Sequence, residues 1–71
     1  MFTREEWVRI PTRTLKDITL NAVRQYYTRI GYHTHEIERV LAVVLEQVHY
    51  TTHCDLAFLA YQWDSAARKL E

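Results

Sequence analysis

Seventy-one residues, 48% of them apolar, with nine Lys+Arg against nine Asp+Glu, make one small domain, residues 1–71. That is too apolar for a charged disordered segment and too evenly charged for unspecific binding to DNA. A single Cys excludes an intrachain disulfide and a paired-cysteine zinc motif, and the longest apolar run, Val40 to Leu45, is closed by Arg39 and Glu46, far short of a bilayer span.

The opening Met-Phe-Thr-Arg-Glu-Glu carries acids where a signal peptide carries its apolar stretch, so a cytoplasmic location is expected. Pro11 and Gly31 are the sole residues of their kind and divide the chain into a short piece and two long segments. The first predicted element covers about residues 4–10. Thr3 and Glu6 have capping-box spacing, and Phe2 and Trp7 stand as a hydrophobic staple. Two turns are unstable in isolation, so Trp7 and Ile10 must dock on something.

The second element runs from about Leu15 to Ile30, with Thr14 and Asp17 as its cap pair. Leu15, Ile18, Ala22, Tyr26 and Ile30 form one stripe, widened by Leu20, Val23 and Tyr27. Gly31 supplies a left-handed stop. The third element starts after Thr34 and reaches about His49, burying Ile37, Val40, Leu41, Val44, Leu45 and Val48. The fourth covers about residues 53–69, with Thr52 and Asp55 as cap and Leu56, Leu59, Ala60, Trp63, Ala66, Ala67 and Leu70 as its stripe. No Gly marks the joint at Tyr50-Thr51-Thr52. The cap pair favours a break there, and one continuous helix would place Thr51 and Asp55 on a buried seam.

These elements predict an all-α fold: a short N-terminal helix, then two or three longer antiparallel helices, completed by homodimerisation. A chain of this size buries only about 60% of its unfolded surface. Yet it carries two Trp, five Tyr and two Phe. Trp7, Tyr26 and Trp63 fit the core stripes. Phe58 and Tyr61 point a third of a turn or more away from theirs by the ~100° helical step, and Tyr50 and Val43 also fall off the main stripe. Such a second apolar face either closes a small core all round or is a contact surface.

Charge is divided along the chain. Residues 1–31 hold six cations against three acids, a net +3, and residues 32–71 hold three cations against six acids, a net −3. Arg13, Lys16 and Arg24 project from the polar side of the second element, either as a solvated face or as a steering face for an acidic partner or for phosphate.

Three chemistries compete for these surfaces. Ile30-Gly31-Tyr32, then Thr34, Ile37 and Val40, have the skeleton of a helix-turn-helix, with His33, His35, Glu38 and Arg39 facing outward on the recognition helix. Against it, Glu36 and Glu38 would face phosphates that repel them, and Tyr27 fills a place that close helix packing gives to a small residue. Glu46, His49 and His53 would share a face on a continuous helix, with Cys54 and Asp55 following. A lone Glu-x-x-His lacks the further carboxylates of a bundle metal site, and a break at Thr52 separates the histidines. Cys54 beside His53 suggests a thiol and a base, but helical neighbours point in different directions and no Gly-rich oxyanion turn exists.

No catalytic, metal or cofactor site is therefore expected. The expected function is non-enzymatic: a regulator or inhibitor that docks a helix face on another protein, with Tyr50, Phe58 and Tyr61 as anchors and Arg13, Lys16 and Arg24 as the steering face. The alternative is a DNA-binding regulator built on the Gly31 turn. In size and type the chain is similar to short helical regulators that bind and block another protein, a likeness carried by no motif.

Overall fold

The computed structural model describes residues 3–70, and among these every regular element is an α-helix. Helix α1 spans Arg4–Arg9, α2 Thr12–Arg29, α3 Thr34–His49 and α4 His53–Lys69. The staple residue Phe2 lies outside the described residues.

Local chemistry fixes the ends of the helices. At α1, the Glu6 amide donates to Thr3 Oγ1 (3.2 Å) and the Thr3 amide donates back to Glu6 Oε1 (3.3 Å). Helix α2 begins earlier than the Thr14/Asp17 pair suggested. Pro11 stands at its N-cap with φ −57°, and a residue without an N–H loses nothing at a helix start. Thr14 lies inside the first turn. At α3 the cap is His33 rather than Thr34, and its amide donates to Glu36 Oε1 (3.2 Å). Gly31 adopts φ +100°, the left-handed conformation that ends α2. The chain does break before α4: Tyr50 and Thr51 leave the helix, and the Asp55 amide donates to Thr52 Oγ1 (3.2 Å).

Helix α2 is the central element, with α4 and α3 packed against it, and α1 lies on α4. Thr12, at the start of α2, meets His53, at the start of α4. Arg29, at the end of α2, donates to the Ala67 carbonyl near the end of α4 (3.0 Å). The two helices therefore run in the same direction, and α3 returns the chain between their opposite ends. Side-by-side packing gives a flattened molecule, with Cα extents of 34 × 27 × 13 Å.

The core joins Trp7, Leu15, Val23, Val44, Val48, Leu56, Ala57 and Ala60. Thr19 belongs with it. Although polar, it is 0% exposed. Its hydroxyl donates to the Leu15 carbonyl (2.8 Å), which satisfies the polar atom and leaves the methyl to the core. Three expected core residues face outward: Ile30, Leu45 and Leu70. Leu45 stands about 80° from the line of Ile37, Val44 and Val48, and a helix packed chiefly on α2 has a narrower covered stripe than that. Ile30 and Leu70 lie past the last turns of their helices. Among the described residues, no helix is long and apolar enough to cross a membrane.

Candidate functional site

Helices α1 and α4 enclose a groove of about 450 Å³. Arg4, Trp7 and Val8 form the α1 wall. Cys54, Ala57, Phe58 and Tyr61 form the α4 wall, at the i, i+3, i+4, i+7 spacing that puts four side chains on one helical face. Trp7 and Ala57 are buried and make the floor, whereas Phe58 is 58% exposed and Tyr61 41%. The Tyr61 ring meets Trp7 edge-on, with centroids 6.2 Å apart. A buried ring below and two exposed rings above give a concave apolar surface with a wet rim.

His53 sets the position of the α1 wall. One ring nitrogen, Nε2, bonds the Val8 carbonyl, which can only accept, so Nε2 carries the proton. Its Nδ1 lies 2.8 Å from Thr12 Oγ1. One imidazole thus ties the end of α1 and the start of α2 to the start of α4. That is a structural role for a residue whose chemistry also suits a metal ligand or a base. The helix break places His49 on the preceding helix, where its ring packs edge-on against Tyr50 (5.3 Å). Among the described residues, no cluster of three His, Cys, Asp or Glu side chains could hold a metal ion. The thiol of Cys54 is exposed in the groove.

The structure brings together Phe58 and Tyr61 but not Tyr50, which is 81% exposed at the turn between α3 and α4 and does not line the groove. Of the expected steering residues, Arg13 and Arg24 are exposed and Lys16 is half-buried. All three lie on α2, and Asp17 falls on the same arc. Sequence reasoning missed the contribution of α1. The available signal was the need of so short a helix to dock through Trp7, which identifies a packed wall without saying what lies beside it.

The remaining rings divide cleanly. Tyr26, Tyr27, Tyr32 and Trp63 form a cluster at the other end of α2 and α4, with centroid separations of 4.8 to 6.0 Å. The bulk at Tyr27 is accommodated by this cluster. His33 and His35, the residues assigned to a recognition helix, are exposed with their rings stacked 5.9 Å apart, and Glu38 and Arg39 are exposed beside them. Comparison with protein-family models, with curated proteins and with solved structures finds no match for this chain.

Proposed function

We propose that this chain is a non-enzymatic protein-binding regulator or inhibitor that docks through the groove between α1 and α4. The supporting observation is the pair Phe58 and Tyr61, exposed on the rim of an apolar groove floored by Trp7 and Ala57. Large aromatic side chains that are already held in place lose little freedom on binding and dominate contact energy at protein interfaces. The groove runs between two helices, which suits an amphipathic helix presenting its apolar face. The exposed Arg13 and Arg24 lie apart from the groove and act on the rate of encounter rather than on the docked contact.

The test is capture from host lysate on immobilised protein, with mass-spectrometric identification, comparing the native chain with Phe58→Asp. Phe58 is more than half exposed, so the variant keeps its fold, which circular dichroism checks. Loss of the retained protein with Phe58→Asp supports the reading. Equal retention by both overturns it.

A further inference from the structure

We infer that the occupant of the groove is an acidic amphipathic helix of a partner protein, with a carboxylate set against Arg4 and apolar side chains over Trp7 and Ala57. This rests on the reading of the groove as a protein-docking surface and adds the charge that its occupant must carry.

The charge pattern around the groove carries it. Arg4 is the one charged side chain among the described residues that line the groove. It is exposed and makes no ion pair among the described residues. The acids of both helices are turned away. By the ~100° helical step, Glu5 and Glu6 of α1 stand about 110° and 150° from the centre of the face made by Arg4, Trp7 and Val8. Asp55 and Asp64 of α4 stand about 110° and 70° from the centre of the face that lines the groove. Glu6 accepts from the Thr3 amide (3.3 Å), and Asp64 pairs with Arg68 (3.1 Å). Beyond Tyr61 the same face of α4 meets Ser65 and then Arg68, so it continues to a cation and not to an acid.

A chain that covers the apolar floor also covers Arg4, because Arg4 forms part of the wall. An apolar or basic surface docked there strips water from a guanidinium and returns nothing, which opposes binding. A carboxylate offsets that loss with paired N–H···O bonds, which are stronger in dry surroundings than at an open surface. Nucleic acid is the other anionic class of partner. Its affinity comes from several cations along the backbone, and the groove walls offer one, set between apolar side chains. Arg4 and Val8 are one helical turn, about 6 Å, apart. In a helix lying along the groove, the carboxylate and the apolar residue that meets Val8 are therefore also one turn apart, as i and i+3 or i+4.

Zero-length cross-linking tests this. Arg4→Lys keeps the charge and supplies an amine that a carbodiimide joins to a carboxylate in contact with it. With protein retained from host lysate, this variant should give a cross-link from residue 4 to an Asp or Glu in a helical segment with apolar residues three or four positions away, read by mass spectrometry. Arg4→Glu should weaken retention about a hundredfold, and Arg4→Lys by less than about tenfold. Position 4 is exposed in the first turn of α1, where an acid suits the helix, and circular dichroism checks the fold of each variant. Retention that is lost with Phe58→Asp but unchanged with Arg4→Glu overturns the inference and leaves the groove reading standing. Retention unchanged with both overturns the two together. A cross-link from residue 4 to a second copy of this chain, or retention that nuclease abolishes, also overturns the inference by naming a different occupant.

Discussion

His53 shows how much one side chain can decide in a molecule this small. It receives no support from propensity or pattern, yet both its ring nitrogens are used to hold three helices at one corner. Replacing it with Ala leaves the Val8 carbonyl and the Thr12 hydroxyl without this partner. Each lost hydrogen bond costs about 1 kcal/mol, so His53→Ala should lower stability by about 2 kcal/mol and Tm by about 10 °C. Thermal unfolding followed by circular dichroism reads this, and a Tm within 2–3 °C of the native protein would show that the clasp contributes little. Thr19 teaches the complementary lesson. A hydroxyl that bonds the carbonyl four residues back behaves as a core side chain, and residue type by itself does not reveal it.

The helices themselves were largely legible in the sequence, because capping chemistry and apolar spacing are local. The fourth helix falls where Thr52 and Asp55 place it, and the first starts where Thr3 and Glu6 do. Helices α2 and α3 start three residues and one residue before the expected places, for a shared reason: Pro11 and His33, rather than threonines, hold the cap positions. The break before α4 matters most for function, since a continuous helix would have put His49 and His53 on one face. Thr52→Ala should cost about 1 kcal/mol by removing the cap on the Asp55 amide, measurable as a lower urea midpoint. An unchanged midpoint would mean that packing, not the cap, enforces the break. What the sequence could not show is the groove. Phe58 and Tyr61 can be read as off the main stripe, but their partner wall comes from α1, some fifty residues earlier, and long-range packing of this kind has no local signature.

In the molecule as a whole, the surplus of aromatic surface is spread unevenly. One cluster, around Trp63, is resolved internally between α2 and α4, with Tyr32 joining from the turn. Tyr50 is exposed at a turn with only the His49 ring against it among the ring contacts of the described residues, and such a surface ring is ordinary. Phe58 and Tyr61 differ because they border a concavity. In the flattened packing order α3, α2, α4, α1, the short α1 walls only part of α4 and so leaves a groove beside Phe58 and Tyr61, while α3 at the opposite flank is covered by α2 alone. Exposed Val43 and Leu45 on α3 have the same origin. They do not line the groove between α1 and α4 and bring no aromatic ring, which makes them the weaker docking surface of the two.

The exposed Cys54 provides a native reporter inside the groove. Its rate of modification by a thiol reagent should fall when a captured protein is docked in the groove, because the thiol loses access to the reagent. An unchanged rate in a demonstrably formed complex would place the contact elsewhere on the molecule.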